Sequence, residues 1–136
     1  AHVVIDDGRI EGKVRAIAPG GVDAALELVG IPVLGDTLRC VRPGGMVSFT
    51  GSLTEVWSMK DFSPFGLIPS TVGLTVYHGH AWDLPGSALQ EVLDAVKAGE
   101  MSVPIAGVFY GLEQVPDAHR AMESHAVPGK NVVVLG

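Results

Sequence analysis

The chain has 136 residues, a formal net charge of −6 and one cysteine. That length is enough for a domain with a real core. An acidic balance without a basic cluster argues against nucleic acid and anionic membranes as partners. The lone Cys40 excludes an internal disulfide and a multi-thiolate zinc site, and it fits a reducing cytoplasm.

Apolar residues make up 47% of the chain, as parallel sheets buried on both faces require. No apolar run approaches the ~20 residues of a membrane span. The opening AHVVIDDG has neither the basic start nor the long apolar centre of a secretory signal. The chain starts at Ala1 rather than Met, as a processed or excised piece would.

In chain order, His2 to Ile5 reads as a strand. Asp6-Asp7 then favour a helix start, and Ile10, Val14 and Ile17 give that helix an apolar stripe. Pro19-Gly20-Gly21 ends it. Val22 to Leu28 is an apolar run broken only by Asp23 and Glu27, as in a strand covered on both faces. Ile31-Pro32 opens a helix with proline in its first turn, where the missing N–H costs nothing. Leu34, Leu38 and Val41 form its stripe, and Pro43-Gly44-Gly45 is expected to stop it. Met46 to Thr50 is the next strand. Two parallel strands joined by a helix form a βαβ unit, and ligands of open α/β sheets lie beyond the carboxyl ends of the strands. Here those ends are Val29-Gly30 and Thr50-Gly51-Ser52.

Ser52 to Ser70 is irregular and carries Trp57, Met59, Phe62 and Phe65, apolar enough to lie over a cleft or interface. Thr71 to Tyr77 is β-branched and reads as a third strand. A loop follows to Pro85. Ser87 with Gln90 matches a capping box ahead of a helix with Leu89, Val92, Leu93 and Val96, and Gly99 suits its C′ position. Ile105 to Tyr110 is a strand. Val115, Ala118 and Met122 mark a helix, and Val132 to Leu135 is a last strand.

The segments AHVVID, GGVDAALELVG, LRCVRPGGMVSFTG, GLTVYH, VFYGLEQVPDAHRAMES and GKNVVVLG follow one another in this order. The series resembles the carboxy-terminal part of a medium-chain dehydrogenase/reductase, on the quinone-reductase-like, zinc-independent branch. The resemblance implies an α/β fold: a partial Rossmann-like parallel sheet with flanking helices over residues 1–103. Residues 104–136 would form a strand-helix-strand segment returning toward a catalytic domain. It also implies NADPH (or NADH) as cofactor, no zinc, and hydride transfer to a small-molecule quinone, enone or carbonyl substrate. Two departures stand out. No two glycines here are two apart, so the phosphate-binding G-x-G-x-x-G is absent. In the family's sheet order, two strands not found here lie between HVVI and VDAALEL. Val22 to Leu28 would then present a bare apolar edge, which must be paired or covered.

By family analogy the cofactor runs past Val29, Gly30, Thr50, Gly51 and Ser52, where small residues let a nucleotide approach the backbone; ordinary strand-to-loop punctuation is the plainer reading. Tyr77 and His78 end the third strand, which in relatives lies close to the nicotinamide or the dimer seam. Lys130 and Asn131 match a Gly-Lys step of the family, where Lys130 could reach a phosphate or ribose or stand as a plain surface lysine. His78 and His80 form H-x-H, a weak metal signal against two solvated loop histidines. His119 and His125 have the wrong spacing for a shared ligand face. Cys40 reads as a buried structural thiol, with no basic group set to lower its pKa. No catalytic residue and no metal ligand is assigned.

Two functions stay open: the cofactor-domain portion of such an oxidoreductase, inactive as the isolated chain, and a non-catalytic self-associating α/β module that binds no dinucleotide. A cytoplasmic homodimer is expected. Its seam would be Thr71, Val72, Gly73, Leu74, Thr75, Val76 and Tyr77, an outer strand without charge, lysine or proline to protect its edge.

Overall fold

The structure is a computed structural model that describes residues 1–124 and 126–136. His125 lies outside the described residues. The chain divides into two compact units, Ala1–Gly79 and His80–Gly136. The division falls earlier than the boundary at 103–104 read from the sequence, and the long helix after Pro85 goes with the second unit.

In the first unit, helix α1 (Glu11–Ile17) leads into β1 (Val22–Glu27), α2 (Ile31–Cys40) and β2 (Val41–Phe49); a short α3 (Pro64–Leu67) precedes β3 (Gly73–Val76). The three strands form one parallel sheet in the order β1-β2-β3, the partial Rossmann-like α/β sheet expected. Leu34 and Leu38 of α2 bury against Val41, Val47 and Val72. Val22, Ala25, Phe49 and Leu74 close the sheet side of this core. Met59, Leu67 and Ile68 of the irregular segment also pack on it, whereas Trp57, Phe62 and Phe65 face outward. Helix α1 has no cap of its own. The Asp36 carboxylate on α2 accepts its first N–H groups, from Ile10 and Glu11, and so ties the two helices together.

Two expectations change here. His2 to Ile5 is not a strand. Val3 and Ile5 are exposed, and among the described residues no strand pairs with them to satisfy their backbone groups. Pro43-Gly44-Gly45 does not end a helix either: α2 ends at Cys40 and β2 begins at Val41. Val22 pairs with Val41 but Ala24 with Met46, so residues 42–45 bulge opposite Asp23. Arg42 Nε donates to Asp23 Oδ1 at 2.6 Å and fastens the bulge. Gly45 must be glycine: a Cβ there would lie 2.5 Å from the Asp23 carbonyl oxygen.

In the second unit, α4 (Gly86–Lys97) precedes β4 (Ile105–Tyr110), α5 (Val115–Ser124) and β5 (Lys130–Val134). β4 and β5 pair in parallel as a separate two-stranded sheet. The Ser87–Gln90 capping box does not form. Pro85 is the N-cap, so Ser87 lies inside the helix and Gln90 donates instead to Asp94. The carboxyl end is as expected. Gly99, at φ +76°, bonds back to Val96, and Glu100 to Ala95, the paired closure of a Schellman motif. Ala118 is the buried apolar residue of this unit.

Candidate functional site

The carboxyl ends of β1 and β2 meet at backbone contact. A Cβ on Gly51 would lie 2.4 Å from the Leu28 carbonyl carbon and 2.4 Å from the Val29 nitrogen. Only glycine lets the loop after β2 press this closely on the loop after β1. The two loops are stitched by the Thr50 N–H donating to Glu27 C=O at 3.0 Å and the Leu53 N–H to Val29 C=O at 2.9 Å. Gly30 is buried at φ +141°, and a Cβ there would meet Thr54 Oγ1 at 2.5 Å. Val29, Gly30, Thr50, Gly51 and Ser52 thus gather at one end of the sheet, with Thr50 half-buried and Ser52 exposed. β3 adds to the same end of the sheet: the Tyr77 N–H donates to Phe49 C=O at 3.0 Å. Tyr77 is about half exposed, and His78 after it is exposed.

Lys130 and Asn131 belong to the second unit, where they open β5. The Lys130 N–H donates to Pro104 C=O, and the Lys130 side chain is exposed. Asn131 is half-buried and lines a small cavity with Met122, Val127, Pro128 and Gly129. His80 is held locally: its ring stacks on Trp82 with centroids 4.5 Å apart, and its N–H donates to Asp83. Among the described residues no three histidine, cysteine, aspartate or glutamate side chains stand together as a metal site.

Three residues at this end of the sheet escape the sequence reading: Glu27, Thr37 and Thr54. Glu27 is 4% exposed. One of its carboxylate oxygens accepts the N–H groups of Val29 at 2.6 Å and Gly30 at 3.0 Å. The other accepts the Thr37 hydroxyl at 2.5 Å. The signal was there: Glu27 lies two residues after Ala25, on the face that α2 covers, where a charge is out of place. Thr54 is the third. Its hydroxyl is buried without a partner among the described residues.

Cys40 is buried, with Sγ 3.4 Å from the Asp36 carbonyl. Burial, with the negative charges of Asp36 and Glu11, raises its thiol pKa from 9.0 to about 11. The thiol is therefore structural and not nucleophilic at neutral pH.

Comparison with known proteins agrees with this architecture. The family model described as zinc-binding dehydrogenase matches residues 1–133. Among solved structures, AibC is similar over 98% of this chain and 36% of its own length, at 25% identity and a TM-score of 0.75. An NAD-dependent alcohol dehydrogenase is similar over 93% of this chain and 35% of its own, at 20% identity and a TM-score of 0.69. The mycobacterial protein Rv1454c, complexed with NADPH, is similar over 93% and 38%, at 22% identity and a TM-score of 0.66. No curated protein matches. The chain spans little more than a third of the length of these structures. With the family model covering nearly all of it, the chain belongs to the zinc-binding dehydrogenase family, within the medium-chain dehydrogenases/reductases.

Proposed function

We propose that these residues form part of a nicotinamide-nucleotide oxidoreductase that reduces quinones, enones or carbonyls without zinc, in the cytoplasm, with NADPH as the preferred cofactor. The observation that carries this reading is the close meeting of Gly51 with Leu28–Gly30 at the carboxyl ends of two parallel strands, the end at which sheets of this kind bind ligands. The NADPH complex of the similar mycobacterial protein supports the choice of cofactor. NADPH would supply the hydride. Val29, Gly30, Thr50, Gly51 and Ser52 would hold and orient its ribose–nicotinamide end, with Tyr77 and His78 alongside.

The test is a titration of the 136-residue chain with NADPH, followed by amide chemical shifts. We expect shifts at Gly30, Gly51 and Ser52 with a dissociation constant no tighter than about millimolar, roughly −4 kcal/mol. A chain without G-x-G-x-x-G lacks the usual anion site at a helix N-terminus. Assays with a quinone panel should show no turnover by this chain alone; NADPH oxidation at ordinary enzyme rates would contradict that.

A second reading, a self-associating module without cofactor, is favoured by the free outer edge of β3 and the exposed Val76 and Tyr77. Absence of any NADPH-induced shift, together with a dimer in sedimentation, would select it.

A further inference from the structure

Burying a carboxylate costs several kcal/mol unless donors or a cation compensate it. Glu27 is buried and makes no ion pair among the described residues. Its compensation is three donors: the Val29 and Gly30 N–H groups and the Thr37 hydroxyl. Gly30 is also the N-cap of α2, whose positive end favours a carboxylate nearby. Packing alone would be served at least as well by an apolar side chain of similar size. What an apolar side chain would not do is bind the two N–H groups that set the turn.

We infer that Glu27 is a positioning residue: its carboxylate, itself anchored by Thr37, fixes the Val29–Gly30 turn in the conformation that the proposed nicotinamide–ribose contact requires. The chain of contacts is continuous. Thr37 on α2 sets the carboxylate, the carboxylate sets the Val29 and Gly30 amides, and Gly30 at φ +141° keeps a smooth backbone face against Thr54. Leu53 then locks onto the Val29 carbonyl from the opposite loop. Glu27 touches no ligand in this scheme; it acts through the turn. The inference rests on the proposed cofactor reading, so its test has one readout in the free protein and one with nucleotide.

The variants are Glu27→Leu, Glu27→Gln and Thr37→Val, each in the 136-residue chain. Hydrogen exchange at the Val29 and Gly30 amides should rise at least tenfold in Glu27→Leu, with core amides such as Val47 unchanged. NADPH affinity, read from the Gly51 and Ser52 shifts, should fall about fivefold or more. Glu27→Gln, which keeps an acceptor for both amides, should restore most of each effect. Thr37→Val should give the same pattern more weakly, and it decides the matter if Glu27→Leu does not fold. Unchanged exchange at Val29 and Gly30 would overturn the positioning role, and so would faster exchange with undiminished NADPH affinity. If the unsubstituted chain shows no NADPH shifts while exchange still responds, the turn lock stands and the cofactor reading is what fails.

Discussion

The molecule contains the same motif twice, with different results. β1-α2-β2 and β4-α5-β5 are each two parallel strands joined by a helix of ten residues. The first buries Leu34, Leu38, Cys40, Val41 and Val47. The second buries Ala118, while Val108, Met122 and Val134 stay between two-fifths and three-fifths exposed. The difference lies around the motif. The first has a third strand, β3, and an irregular segment that lays Met59, Leu67 and Ile68 on the core. Two strands and one helix offer too little enclosed volume for side chains to interdigitate; a third neighbour on the sheet supplies it.

The largest expected effect tests that contrast directly. Leu38→Ala should cost about 2–5 kcal/mol, the usual range for a fully enclosed leucine. Met122→Ala, on the helix of the second motif, should stay within about 0.5 kcal/mol, as surface changes do. Urea unfolding of both variants, each compared with the parent chain, is the measurement. Equal losses would mean that burial does not distinguish the motifs.

Glycines sharpen the comparison at the next scale. A Cβ at Gly51 would press on the Leu28, Val29 and Gly30 backbone within 2.6 Å, whereas one at Gly107 in β4 would meet the Asn131 and Phe109 side chains at 3.0 Å. Backbone of two hydrogen-bonded loops cannot move aside; side-chain ends can. Gly51→Ala should therefore destabilise by about 1–3 kcal/mol, the range for overpacking, and disturb the Gly30 and Ser52 amide shifts. Gly107→Ala should cost under about 1 kcal/mol and remain local. Thermal melts of the pair would settle the order.

The sequence was readable where local and tertiary demands agree. The Ile105–Tyr110 strand, the helix opening at Val115 and the Gly99 terminus stand where periodicity and turn chemistry put them. It misled where a neighbour decides. HVVI has strand composition but pairs with no strand among the described residues, and Ser87 has capping chemistry but Pro85 starts the helix. Pro43-Gly44-Gly45 reads as a stop, yet the Arg42–Asp23 ion pair holds it as a bulge. At the carboxyl ends of β1 and β2, the small residues were legible. Glu27 was seen only as a break in an apolar run, because its function depends on three donors, one of them ten residues away on another element.

Cys40 gives a pH-dependent handle on the better-packed motif. Its thiol pKa rises from 9.0 to about 11 on folding, chiefly through burial. An acid whose folded pKa is raised is stabilising while protonated in both states, below about pH 9. Between pH 9 and 11 the unfolded chain releases the proton and the folded chain keeps it, so stability falls with rising pH. Cys40→Ser would add a hydroxyl to the core, so Cys40→Ala is the better control; it should flatten this part of the alkaline unfolding curve. Thiol reagents at pH 8 should react with Cys40 far more slowly in the folded chain than in urea.

The smallest effect on the fold should come from the outer strand, and it concerns association. Here the first motif's advantage, its third strand, carries a liability: β3 has β2 on one side and no strand on the other among the described residues. The Tyr77 N–H points inward, to Phe49 C=O. Amides alternate along a strand, so the Val76 N–H points outward to the free edge. Proline at 76 removes that outward donor and leaves the inward ladder in place, as prolines do on edge strands. If Thr71–Tyr77 is the seam of a homodimer, pairing with its own copy about a two-fold axis, Val76→Pro should weaken the dimer while Leu38 and Val47 stay protected from hydrogen exchange. Sedimentation across a concentration series reads the first and exchange the second. A monomer at high concentration in the parent chain, or an association unmoved by Val76→Pro, would exclude this seam. Association that persists in the variant would then direct attention to the opposite edge of the same sheet, β1, which among the described residues also pairs on one side alone.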